Sequence, residues 1–135
     1  MCGAARVGDA TGVMTCSRLL IADDRARTRR ALRAVLALQP GLELIGEAAD
    51  GEEAITEVER LQPDIVILDI RMPRLDGIAA TMQIKSRWPW IRVIAHSLAE
   101  ELSQAALAAG ADAFVPKGAP STELLSALWA PPASQ

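Results

Sequence analysis

Three aspartates, a lysine and a serine stand where short apolar runs break into turns. Asp23 and Asp24 follow Leu19-Leu20-Ile21-Ala22, and Asp69 follows Ile65-Val66-Ile67-Leu68. Lys117 follows Ala113-Phe114-Val115-Pro116, and Ser97 comes just after a fourth run that begins at Ile91. Runs of β-branched and large apolar residues of this length suit strands buried on both faces of a parallel sheet. A polar side chain at the exit of such a strand lies at the carboxyl edge of the sheet, where open α/β folds place their ligands. With the first and third strands as neighbours, Asp23, Asp24 and Asp69 meet in one acidic cluster. Three carboxylates packed together repel one another unless a cation intervenes. Oxygen-only ligands with room for water suit a hard divalent ion, Mg²⁺ being the cofactor this set implies. A metal, an amine and a hydroxyl converging on one carboxylate are the equipment for phosphoryl transfer, with Asp69 as the in-line nucleophile.

The spacing of apolar residues predicts the elements that deliver these groups. Strands are expected over Ser17 to Ala22, Leu42 to Ala48, Ile65 to Ile70, Ile91 to Ala95 and Ala113 to Pro116. Helices are expected over Arg25 to Leu38, Glu52 to Leu61, Gly77 to Arg87, Glu100 to Ala109 and Pro120 to Ala130. Their inward faces repeat at helical spacing, as in Leu32, Val35 and Leu36, or Leu124, Leu125 and Leu128. Asp24, near the start of the first helix, is also a candidate N-cap. Pro40-Gly41, Asp50-Gly51, Asp76-Gly77 and Gly110 supply the breaks. Alternating strands and helices imply one α/β domain, a doubly wound parallel sheet of five strands with five helices on its two faces.

At 135 residues the chain fits a single domain with a core of its own. The boundaries expected are a flexible extension over 1–16, the domain over 17–130 and a tail over 131–135. The net charge of -3 argues against direct nucleic-acid binding and against attraction to an anionic membrane. Arg25, Arg27, Arg29, Arg30 and Arg33 read as a solvated helix face. No apolar run is long enough for a bilayer and no signal-peptide pattern opens the chain, so a cytoplasmic location is expected. Cys2 and Cys16 have no zinc spacing and read as free thiols of the extension. His96, the sole histidine, reads as a satisfied or solvent-facing residue at a strand end rather than a ligand or base.

In this order and at these strand ends, the residues resemble the CheY-like receiver domain of a two-component response regulator, from about Ser17 to about Trp129. The signature is Asp23-Asp24, Asp69 within DIRMPRLDG, Ser97, Phe114 and Lys117. The segments EAADGEEAI and LQPDIVILDIRMPRLDG are most similar to NarL/FixJ-type receivers, which usually carry a helix-turn-helix output domain. The resemblance implies the flavodoxin-like strand order 2-1-3-4-5. It also implies that Asp69 accepts a phosphoryl group from a sensor histidine kinase or phosphotransfer protein, the chain being a signalling phosphoacceptor and no enzyme of broader activity. Asp24 would bind Mg²⁺ directly and Asp23 mostly through water, with Asp69 and the backbone carbonyl of Arg71 completing the protein's share of the ligands. Lys117 would pair with phosphorylated Asp69, the Ser97 hydroxyl would swing to a phosphoryl oxygen, and Phe114 would turn into the space vacated. The output face, with possible homodimerisation, would be the fourth helix, fifth strand and fifth helix. The chain would be a stand-alone receiver or the input half of a transcription regulator; the alternative is a pseudo-receiver that binds proteins without being phosphorylated. It departs from the family in His96, where relatives commonly have an aliphatic residue, and in a Ser97-to-Lys117 segment about two residues shorter than in close relatives.

Overall fold

The apolar runs form the strands their composition favours. In a computed structural model that describes residues 16–129, β1 (Ser17–Ala22), β2 (Leu42–Ala48), β3 (Ile65–Leu68), β4 (Arg92–Ser97) and β5 (Ala113–Pro116) lie in one sheet. All pairings are parallel and the order is β2-β1-β3-β4-β5, as expected. The register brings the ends of the strands level: Ala22 pairs with Leu68, Leu68 with Ala95, and Ser97 with Pro116. Asp23, Asp69 and Lys117, one residue further on, therefore leave the sheet along one edge. Every residue of β3 is buried, and each large apolar side chain so placed contributes about 1.5–3 kcal/mol.

The helices are α1 (Ala26–Leu36), α2 (Gly51–Leu61), α3 (Gly77–Arg87), α4 (Ser103–Ala108) and α5 (Ser121–Ala127). Leu32 and Leu36 of α1 and Leu124 of α5 pack with Leu19, Ile21, Ile67 and Ile94 on one face of the sheet. Ala54 and Val58 of α2, Ala80 and Ile84 of α3, and Ala106 of α4 pack with Leu20, Val66 and Leu68 on the other. Asp50 and Asp76 cap α2 and α3 by accepting the Glu53 and Ala79 amides. Gly77 has a stricter role, because a Cβ there would lie 2.0 Å from the Asp69 carbonyl oxygen and 2.6 Å from Ile70 Cα. Only a residue without a side chain lets α3 start directly against the strand exit that carries Asp69.

Several expectations are corrected in detail. β3 stops at Leu68, but the Asp69 amide still donates to the Ala22 carbonyl at 2.9 Å, so the aspartate is pinned where the strand ends. β4 continues through His96 and Ser97, which places both in the sheet. The expected fourth helix opens with a 3-10 turn, Glu100–Leu102, before six residues of α-helix; no side chain caps either segment. Asp24 does not cap α1, whose N-cap is Arg25 without a side-chain bond. The Arg25 amide donates instead to Asp23 Oδ1. Cys16 is buried and disulfide-bonded, not a free thiol: the chain is already tied down beside it, where the Ser17 amide donates to the Gly41 carbonyl. Cys2, the rest of the expected extension and the expected tail lie outside the described residues. Among the described residues no helix is long and apolar enough to cross a membrane.

Candidate functional site: an acid pocket bridged by one lysine

The strand exits place four side chains in contact range. Asp23 is 1% exposed and Asp69 5%, while Asp24 is exposed. Lys117 Nζ lies 2.7 Å from Asp23 Oδ2 and 3.2 Å from Asp69 Oδ2, so one ammonium is shared by two nearly sealed carboxylates. Asp23 is further fixed by the Arg25 amide on Oδ1 and by the Arg29 guanidinium, which donates to its backbone carbonyl. Arg29 and Arg33 both also reach Glu47, so two members of the basic run serve the strand edge and are not simply a solvated face. Asp69 Oδ1 has only a long 3.4 Å contact from the Arg71 amide and is the freer of its two oxygens.

A cavity of about 390 Å³ opens onto this edge, lined by Asp24, Asp69, Arg71, Ser97, Glu101 and Lys117 among others. Ser97 is buried, and its Oγ accepts the Ala99 amide at 3.1 Å, which leaves the hydroxyl proton to be given elsewhere. At the mouth, Arg71 Nη2 and Glu101 Oε2 pair at 2.9 Å, joining the loop after β3 to the 3-10 turn before α4. Phe114 is not in this pocket. It is half-buried and lines a groove with Leu107 and Pro116 beside α4 and α5.

The electrostatics follow from burial and from the neighbours. Burial pushes the Asp69 carboxyl above its ordinary value; Lys117 opposes this, Asp23 reinforces it, and the Lys117 and Arg71 hydrogen bonds pull it down again. His96, expected to be satisfied or solvent-facing, is neither: it is 8% exposed and its Nδ1 has no hydrogen-bond partner. The cause is the extension of β4, which draws the ring into the sheet layer. Burial first, then the Lys117 charge, lowers its pKa to about 4, with Asp23 pulling the other way.

The donor set was tested for its fit to a cation. One oxygen from each of Asp23, Asp24 and Asp69 can be chosen so that all lie within 4.8 Å of one another. A single ammonium leaves two formal negative charges unmatched, and every donor is a hard oxygen. These residues fit a hard divalent cation.

The fold and this edge define an α/β module with acids and a lysine gathered where its parallel strands end. The chain belongs to the response regulator receiver domain family, whose model matches residues 19–129. It is 45% identical over 104 residues to a protein-glutamate methylesterase/protein-glutamine glutaminase of Geobacter metallireducens, covering 74% of this chain and 30% of that protein. Its structure is similar to that of a LuxR-family two-component response regulator from Aurantimonas, with a TM-score of 0.80 and 29% identity over 84% of this chain and 83% of that one. It is similar also to the CheX-CheY-BeF3-Mg+2 complex from Borrelia burgdorferi, with a TM-score of 0.78 and 33% identity over 84% of this chain and 87% of that one. The chain spans less than a third of the length of the methylesterases it matches. It is a CheY-like receiver homologous to two-component response regulators, and its fold and relatives fit phosphoryl acceptance in phosphorelay signalling.

The structure brings Asp24, Asp69, Ser97 and Lys117 to one cavity, with Asp23 nearly sealed beside Lys117, at the edge their strand-end positions suggest. Sequence reading missed the support around them: the Arg29 contact with the Asp23 carbonyl, the Arg71–Glu101 pair, and the close approach at Gly77. The first two join residues from separate elements and leave no local pattern. The Asp76-Gly77 pair was a signal for a turn, though not for the contact that requires the glycine.

Proposed function

We propose that Asp69 is the phosphoacceptor of a phosphorelay and that Asp23, Asp24, Lys117 and Ser97 serve its reaction. The observation that carries this is the bridging ammonium, 3.2 Å from Asp69 Oδ2, beside two further carboxylates at the same strand edge. Asp69 Oδ1 attacks the phosphorus of a phosphohistidine on a sensor kinase or phosphotransfer protein. The P–N bond breaks, its electron pair stays on the imidazole nitrogen, and that nitrogen takes up a proton. Lys117 keeps Oδ2 occupied and orients the carboxylate, then neutralises part of the charge gained. The Ser97 hydroxyl donates a hydrogen bond to a phosphoryl oxygen. Asp24, Asp23, Asp69 and the Arg71 carbonyl would hold Mg²⁺, which supplies charge neutralisation on the transferring oxygens when bound.

The added negative charge biases a two-state element. When Ser97 turns toward the phosphoryl group, half-buried Phe114 moves inward, and the face of α4, β5 and α5 changes shape. That face, where Leu107, Ala113, Phe114 and Pro116 line a groove, is the proposed surface for output and homodimerisation. The relatives include a protein-glutamate methylesterase and LuxR-family regulators, so the switch is compatible with more than one kind of output.

Acetyl phosphate replaces the kinase in the test. Wild type with Mg²⁺ is expected to gain one alkali- and hydroxylamine-labile phosphoryl group, and EDTA or Asp69→Asn to abolish the gain. Uptake that survives Asp69→Asn would remove Asp69 from this role; no uptake by wild type, beside a receiver that labels, would favour the pseudo-receiver.

A further inference from the structure

Arg29 of α1 connects the acid pocket to the second strand. One guanidinium nitrogen donates to the Asp23 backbone carbonyl, while Nε pairs with Glu47 of β2 at 3.0 Å. The remaining polar atoms of Asp23 are held as well: its amide donates to the Ala48 carbonyl, Oδ1 accepts the Arg25 amide, and Oδ2 lies 2.7 Å from Lys117 Nζ. Asp24 has no such support. It is exposed, it does not cap α1, and its carboxylate has no hydrogen bond or ion pair among the described residues. Its placement therefore depends on the peptide that joins it to Asp23, and the carbonyl of that peptide is the atom Arg29 grips. That carbonyl precedes the α1 ladder, which opens with the Arg29 amide on the Arg25 carbonyl, so it takes no backbone bond from the helix.

We propose, on the cation reading given above, that Arg29 is a positioning residue for the divalent-cation site: held by Glu47, it fixes the Asp23–Asp24 peptide and so keeps the Asp24 carboxylate beside those of Asp23 and Asp69. The rival role is a bracket that only ties α1 to β2. Arg33 is the model for that role, since it too pairs with Glu47 but makes no bond to Asp23. Charge and position act in opposite directions here. A guanidinium beside three acids repels a cation, so removing it would tighten binding if charge decided the outcome. If position decides, removal weakens binding, as loss of a group that orients a metal ligand does by about 10–100-fold. The low end applies, because Arg29 holds the backbone and not the carboxylate itself. Lysine is no substitute, for one ammonium lacks the planar fork that reaches a carbonyl and a carboxylate at once.

The test is a nuclear magnetic resonance titration of the full chain with MgCl₂ and no phosphodonor, followed at the Asp24 and Asp69 amides. It reads binding without phosphoryl transfer. Arg29→Met should raise the Mg²⁺ dissociation constant about 10-fold, and Arg29→Lys, which keeps the charge, should raise it in the same direction. Arg33→Met should stay within about twofold of wild type. If Arg29→Met does not fold, Arg29→Lys against Arg33→Met makes the same comparison. Unchanged or tighter binding in the folded Arg29 variants, or equal weakening in Arg33→Met, would overturn the positioning role and leave the cation site standing. Absence of saturable Mg²⁺ shifts in wild type would overturn the cation reading and this role with it.

Discussion

Replacing Lys117 by methionine removes the one cation that Asp23 and Asp69 share while keeping most of the side chain's length. The two carboxylates, 1% and 5% exposed, would then face each other with no counter-charge. Breaking a buried ion pair from one side costs about 3–5 kcal/mol when the remaining charge cannot escape. Here it can escape in part by taking a proton, so a loss of about 3 kcal/mol at neutral pH is expected, against a total stability of about 5–15 kcal/mol. With a urea slope of about 1–3 kcal/mol per molar, the unfolding midpoint should fall by about 1–3 M. The assay is urea unfolding in EDTA, followed by the fluorescence of Trp88, which is buried with the Arg87 guanidinium 4.3 Å from its ring centroid.

The pH dependence gives a second check. The Asp69 pKa is raised in the folded protein, and Lys117 is the main influence holding it down. Without the lysine it rises further. A group whose folded pKa lies above its unfolded value stabilises fully below the unfolded pKa, and that contribution is lost as pH rises through the folded one. The deficit of Lys117→Met should therefore be largest at neutral pH and shrink as pH falls toward the ordinary carboxylate range. A deficit below about 0.5 kcal/mol, the size of an exposed pair, or one that does not change with pH, would refute the shared-lysine account.

Gly77→Ala would drive a Cβ into the Asp69 carbonyl, so a loss of about 1–3 kcal/mol is expected by urea unfolding, together with slower labelling by acetyl phosphate. His96→Leu removes an unmatched buried group and should raise stability at neutral pH by about 1–2 kcal/mol. Because the His96 pKa falls from 6.5 to about 4 on folding, stability from its neutral form is present above pH 6.5 and is lost as pH falls toward 4. The advantage of leucine should therefore grow by as much as about 3 kcal/mol over that range in denaturation series at stepped pH. Glu101→Gln breaks a pair whose two side chains are each 67% exposed, and the midpoint should stay within about 0.5 kcal/mol of wild type.

What could be read in advance was what one stretch of chain determines for itself. The runs at Leu19, Ile65 and Val115 carry enough β-branched and apolar residues to be buried wherever they fall, and the acids and lysine after them inherit an edge position from the sheet. Features set by distant partners were not legible. His96 reads from sequence as a satisfied or solvent-facing strand end; two more residues of β4 pairing, with Val115 and Pro116 opposite, put it inside without a partner for Nδ1. The 3-10 start before α4 and the absence of an Asp24 cap follow from how the chain leaves β4 and β1, and residue type alone does not encode that.

Borohydride reduction after acetyl phosphate treatment in Mg²⁺ tests the central claim most directly, because an aspartyl phosphate is converted to homoserine at the residue that carried it. Peptide mapping is predicted to find homoserine at position 69 and aspartate intact at 23 and 24. Homoserine at another position, or none in protein that has taken up phosphate, would contradict the account.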